Sequence, residues 1–124
     1  MRWLLAGLLI AHGIAHVVGF VVPWKILTSK EMPYRTTILA SSVDLGETGA
    51  RLLGRMWLGV AVGFAIAGAG LLARASWWYG AALALVSVSV ALCVVGRPDS
   101  RLGILANAVI LAVVITGTRL GWLV

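Results

Sequence analysis

Charge is scarce in this chain. Asp, Glu, Lys and Arg make up 11% of its 124 residues, against about 25% in soluble domains. Hydrophobic residues make up 61%. A single domain of this length cannot hide that much apolar surface from water, so lipid is the expected solvent. Acidic residues are scarcest, four against ten Lys and Arg, for a net charge of +6. In a soluble protein that balance would raise nucleic acid as a partner. Here the basic residues stand at the ends of apolar runs, where they anchor helices to headgroups, and no nucleic-acid partner is expected. The chain has one cysteine, Cys93. A single thiol excludes an intramolecular disulfide and dithiol redox chemistry. Inside an apolar run it reads as a small hydrophobe.

Four apolar runs are long enough to cross a bilayer, which takes ~20 residues of helix. They cover roughly residues 3–22, 52–72, 77–95 and 102–120. Lipid leaves open backbone groups unsatisfied, so these runs must be helices. The first reads as a retained helix, because Pro23-Trp24-Lys25 follows it and not a small-residue cleavage site. Tryptophan favours the membrane interface. With four spans, Trp3, Trp77, Trp78 and Trp122 fall at one face, and Trp24 and Trp57 at the other. Residues 1–124 thus read as one all-α, integral membrane four-helix bundle.

The connections are unequal. Arg74-Ala75-Ser76 joins the second and third spans, and Gly96 to Arg101 joins the third and fourth. Gly96 can end a helix, Pro98 cannot continue one, and Asp99 or Ser100 can cap the next. The first two spans are separated by a long stretch, read as an ordered loop over residues 23–44. Loops of that length in small domains are usually functional or disordered. Its run YRTTILASSV suits a short ribbon over the bundle mouth. DLGE matches a capping box, with Asp44 at the N-cap and Glu47 three residues on, which starts the second helix near Leu45. Gly59, Gly63 and Ala67 form a small-residue stripe on the second span. Such stripes let helix backbones approach closely. Packing inside one bundle is the first reading of the stripe, and a homodimer the alternative.

Polar residues gather in one half of the membrane. His16 lies six residues before Val22, ~9 Å in at ~1.5 Å per residue, and His12 lies one turn deeper. Their i, i+4 spacing puts both on one helix side. Arg51 and Arg55 form another such pair near the same face, and Glu47 precedes Arg51 by four. Asn107 lies six residues into the fourth span from Arg101. Ionisable groups in a membrane usually face a bundle interior or a wet cavity. A cavity open to the face that carries the first and third loops, roofed by Tyr34 to Asp44, would account for all of them.

Histidine near its ordinary pKa exchanges protons, and arginine holds anionic or carbonyl groups in a fixed fork. The candidates for catalysis are therefore His12, His16 and Glu47. The candidates for ligand binding are Arg51, Arg55, Asn107, Asp44 and Tyr34. The set suits acid–base chemistry on a small lipophilic or amphiphilic molecule. It suits plain binding of such a molecule equally well. A third reading is an accessory subunit whose polar groups only tie helices together. A zinc site would need Asp44 or Glu47 to complete the His pair, since Gly13 stands where H-E-x-x-H places its glutamate. Haem would need a second axial ligand from elsewhere. No cofactor and no metal is expected. Small multidrug exporters share this length and span count but rely on a glutamate in the first helix, which is lacking here.

The segment LLAGLLIAHGIAHVVGF, followed by a long first loop and three closely connected helices, resembles the small bacterial DoxX-like membrane proteins. The resemblance implies a four-helix bundle in a bacterial cytoplasmic membrane and transfers no catalytic residues. Seven of the Lys and Arg residues fall on the loop face: Lys25, Lys30, Arg35, Arg51, Arg55, Arg97 and Arg101. Arg2, Arg74 and Arg119 fall on the other. By the positive-inside rule the loop face is cytoplasmic and both termini lie outside.

Overall fold

In the computed structural model, residues 1–30 and 32–123 are described. The helices are α1 (Arg2–His16), α2 (Val18–Val21), α3 (Gly46–Leu72), α4 (Trp78–Val95) and α5 (Arg101–Arg119). A two-residue ribbon, β1 (Thr37–Ile38) and β2 (Val43–Asp44), pairs antiparallel between α2 and α3. α1 and α2 form one rod with a tightened turn at Val17, whose N–H bonds Ile14 O at 3.0 Å. Four helical stretches are thus long and apolar enough to cross a membrane: Arg2–Val21, Gly46–Leu72, Trp78–Val95 and Arg101–Arg119. The second begins six residues before the span read from sequence.

α3 is the spine of the bundle. It packs against α1 and α2 on one side and α4 on the other; α5 packs on α4 and meets α1 more sparsely. The core runs through Leu9, Phe64, Leu71, Ile110 and Val114. Two glycines set the closeness of α1 and α3. A Cβ at Gly13 would come 2.7 Å from Ala61 O, and one at Gly68 would come 3.1 Å from Ala6 O. The small residues let the backbones touch. The stripe read from sequence is divided: Gly63 lies against Leu85 of α4, whereas Gly59 has nothing within 4 Å.

Three helix ends close alike. Ile26 N–H bonds Val21 O at 2.8 Å, Ala75 N–H bonds Gly70 O at 2.9 Å, and Trp122 N–H bonds Gly117 O at 2.8 Å. Each closure puts one residue in the left-handed region, namely Lys25 (φ 57), Arg74 (φ 57) and Gly121 (φ 72). These are Schellman closures, which satisfy the last helical carbonyls. Two of the three use a basic residue where glycine is usual. Both place a cation beside the negative end of the helix dipole.

A long loop over 23–44 is not what the chain builds between the first two spans. The Lys25 closure ends the first rod, and the ribbon precedes α3. The ribbon's turn holds Leu39, Ala40 and Ser41 at φ 51, 55 and 68, a region that costs non-glycine residues free energy. Leu39 N–H bonds Val95 O at 2.8 Å and Ala40 N–H bonds Arg97 O at 3.1 Å. The strained turn thus supplies the donors that the end of α4 lacks. Arg35 Nε donates to Asp99 Oδ2 at 2.9 Å, a second tie between this segment and the α4–α5 linker.

Capping also departs from the sequence reading. α3 begins at Gly46 with no side-chain cap. Asp44 Oδ1 instead accepts from Gly46 N–H at 2.9 Å, two residues on, a local turn. Glu47 does not reach back, because it pairs with Lys25 at 3.3 Å and Arg51 at 3.2 Å. Neither Asp99 nor Ser100 caps α5 through its side chain. Ser100 Oγ donates to Cys93 O at 2.6 Å, so it serves the end of α4.

Candidate functional site

The inward residues of α1 that carry polarity are His12 and His16, both buried. Opposite them, α5 supplies Asn107 and α4 supplies Ser89, both wholly buried. These four side chains come from three helices and meet at one level. His12 Nε2 lies 3.2 Å from Asn107 Oδ1. Asn107 Nδ2 lies 2.8 Å from Ser89 Oγ and 2.8 Å from Gly103 O. Ser89 Oγ lies 2.7 Å from His16 Nε2. His16 Nδ1 lies 2.9 Å from the His12 carbonyl oxygen.

The direction of every bond follows from two carbonyls. Gly103 O can only accept, so the Asn107 amide must turn its nitrogen there and its oxygen to His12. That oxygen also only accepts, so His12 Nε2 carries the hydrogen. The His12 carbonyl likewise fixes the hydrogen of His16 on Nδ1. Neutral His16 then presents a lone pair at Nε2, which takes the Ser89 hydroxyl proton, while Ser89 Oγ accepts from Asn107. The result is a closed, one-way ring: His12 to Asn107 to Ser89 to His16 and back to the His12 backbone. The two histidines hold opposite tautomers. Closing the ring satisfies buried groups that would each cost about 1–3 kcal/mol if stranded.

Aromatic rings seal the ring on the α3 side. Phe64 stands 5.0 Å from the His12 ring and 5.6 Å from the His16 ring, and Trp57 stands 5.0 Å from His16. Trp57 was expected at the membrane interface; it is buried. Gly19 is the reason, since a Cβ there would overlap the indole at Cδ2.

One atom of the ring system stays outside the circuit. His12 Nδ1 has no hydrogen-bond partner among the described residues, and in this tautomer it is an acceptor. His12 and His16 line the inner end of a groove of about 480 Å³. Ala15 and Val18 form one side of it and Leu102 and Ala106 of α5 the other; Ser29, Met32, Asp99 and Ser100 stand at its mouth. That volume falls within the ~300–1,000 Å³ range of small-molecule sites. The groove opens where α1 and α5 meet sparsely.

The remaining candidate residues lie elsewhere. Arg51 and Arg55 are exposed on α3, with their guanidinium carbons 5.5 and 5.2 Å from the Trp24 ring centre. Trp24 Nε1 donates to Arg51 O at 3.0 Å. Glu47 is half exposed between Lys25 and Arg51. Tyr34 is exposed beneath Lys25 Nζ, 5.1 Å from its ring centre. Asp44 is exposed; the Gly46 N–H and then the Thr36 side chain hold its carboxyl below the usual carboxylate range. None of these five meets the histidines. The ribbon does not line the groove; Thr37, Ile38 and Ser41 line an adjoining space of about 60 Å³ that shares Gly19, Met32, Trp57 and Asp99 with it. Among the described residues, no three of His, Cys, Asp and Glu gather as a metal site would need.

Ser89 was not among the candidates. The count that found the others would have found it. Ser89 lies six residues before Val95, as His16 lies six before Val22 and Asn107 six after Arg101. Ser87, two residues away, is exposed and bonds Leu83 O at 2.9 Å, so depth had to be combined with helix face. No family model matches the chain, and neither a search of curated proteins nor one of solved structures gives a match.

Proposed function

We propose that this chain is a multi-pass membrane protein that binds a small lipophilic or amphiphilic molecule in the groove beside His12 and His16. The observation that carries this reading is the groove itself: mostly apolar, of ligand size, with two histidines at its inner end and one unused ring nitrogen. His12 can accept a hydrogen bond from a bound molecule at Nδ1 without losing any bond of the ring. His16 lacks that freedom: its Nε2 lone pair already accepts from the Ser89 hydroxyl. The four apolar spans and the basic loop face support a location in a bacterial cytoplasmic membrane with both termini outside. The DoxX-like resemblance is part of the same proposal.

Native mass spectrometry of the detergent-solubilised protein tests the reading. The wild type should retain a small hydrophobic molecule. Ala106→Phe, which fills the groove from α5 and leaves the four ring residues unchanged, should lose it. Equal spectra without any adduct would overturn the reading.

The closed ring supports a second reading, an accessory subunit in which these bonds only fasten α1, α4 and α5. In that case His12→Ala lowers thermal stability in detergent, and Ala106→Phe changes nothing.

A further inference from the structure

The ring dictates what kind of head group the groove can take. Five hydrogens belong to its donors: one on His12 Nε2, two on Asn107 Nδ2, one on Ser89 Oγ and one on His16 Nδ1. All five are committed inside the ring or to the Gly103 and His12 carbonyls. Cys93 adds a thiol, a weak donor. What the ring itself leaves for a ligand is therefore a lone pair, the one on His12 Nδ1; Trp57, which also lines the groove, adds an indole N–H that has no partner among the described residues and can donate to the same head group's oxygen. A ketone, an ether or a carboxylate would bring a second lone pair against His12 Nδ1. An ammonium would bring a hydrogen but also a charge, and among the described residues no unpaired carboxylate lines the groove. Asp99 stands at the mouth and is already paired with Arg35 at 2.9 Å.

Resting on the binding function proposed above, we propose that the groove selects an uncharged lipophilic alcohol or phenol. Its hydroxyl donates to His12 Nδ1, and its apolar tail leaves between Ala15 and Val18 on one side and Leu102 and Ala106 on the other. The lone pair sits on a side chain that is 8% exposed. An unmade bond there is costly, so the preference for a donor is built into the fold.

Four probes that share one tail separate the head groups: 1-dodecanol, its methyl ether, dodecanoate and dodecylamine. Saturable binding to the wild-type protein in nanodiscs is measured for each, with Ala106→Phe as the filled-groove control. Dodecanol should bind about tenfold more tightly than the ether, the worth of one hydrogen bond in a water-poor site. Dodecanoate and dodecylamine should bind no better than the ether. The ¹⁵N resonance of His12 Nδ1 should move on adding dodecanol and not on adding the ether. Ether binding as tight as alcohol binding, or tightest binding by the acid or the amine, would overturn the head-group assignment and leave the groove as a binding site. No saturable binding by any probe, or binding indifferent to Ala106→Phe, would overturn the binding function itself.

Discussion

Two polar assemblies sit near one end of this bundle. The inner one joins His12, Asn107, Ser89 and His16 by bonds of 2.7–3.2 Å, wholly inside the helices. The outer one joins Lys25, Glu47 and Arg51 on the surface and stacks Arg51 and Arg55 on Trp24. Depth along the helix axis does not separate them cleanly, but helix face does. On α3 the inward stripe runs through Ala50, Gly54, Trp57, Ala61 and Phe64. Arg51 and Arg55 each follow a stripe residue by one position, which turns them ~100° away. Polar side chains near one end of the bundle are therefore a fastening where they point in and an exposed fringe where they point out. The inner bonds should matter far more, since buried partners are costly to strand and exposed ion pairs are worth little.

That contrast can be broken by substitution. Asn107→Leu should have the largest effect. It removes the acceptor of His12 and the donor to Ser89, for an expected loss of about 2–3 kcal/mol, read as a lower unfolding midpoint in mixed micelles. An unchanged midpoint would mean that the ring carries no weight. Ser89→Ala opens the circuit at one member and should cost about 1–2 kcal/mol in the same assay. The cost should fall well below additivity when it is combined with Asn107→Leu. Glu47→Gln, in the outer assembly, should cost less than about 0.5 kcal/mol, and added salt should erase the difference. Asp44 gives the smallest signal. Its folded pKa lies below the ordinary value of about 3.9, so its bonds to Gly46 and Thr36 stabilise the fold above that pH. The contribution is lost as pH falls through the folded value. Asp44→Ala should flatten the acid limb of the stability curve, its small cost present at neutral pH and vanishing below the folded value.

Much of this architecture was legible in the chain. Run length and composition located four spans to within a few residues, apart from the start of the second, and the helix start read near Leu45 agrees with α3 beginning at Gly46. The helical residues ahead of the apolar run include Ala50 and Gly54, which pack under the first rod, a tertiary effect that hydropathy cannot see. His12, His16 and Asn107 were picked out as costly polar groups at a shared depth, and they do touch. The arginines shared that depth without sharing the face. Deciding between faces needs the packing of Gly13 on Ala61 and of Trp57 on Gly19, which fixes how each helix is rotated. Trp57 was misread for the same reason: tryptophan favours interfaces on average, but here a glycine opposite made room for it inside. Asp44 and Glu47 matched a capping box in sequence. Lys25, brought close by the turn that closes the first rod, engages Glu47 instead, and no spacing rule within α3 reveals that.

The one-way ring is tested most directly by the tautomeric state of its two histidines. The chain has only two histidines, so ¹⁵N spectra of histidine-labelled protein in lipid are simple to assign with His12→Gln and His16→Gln. The ring predicts opposite neutral tautomers, hydrogen on Nε2 of His12 and on Nδ1 of His16. Two histidines in the same tautomer, or a pair exchanging freely between both, would contradict it.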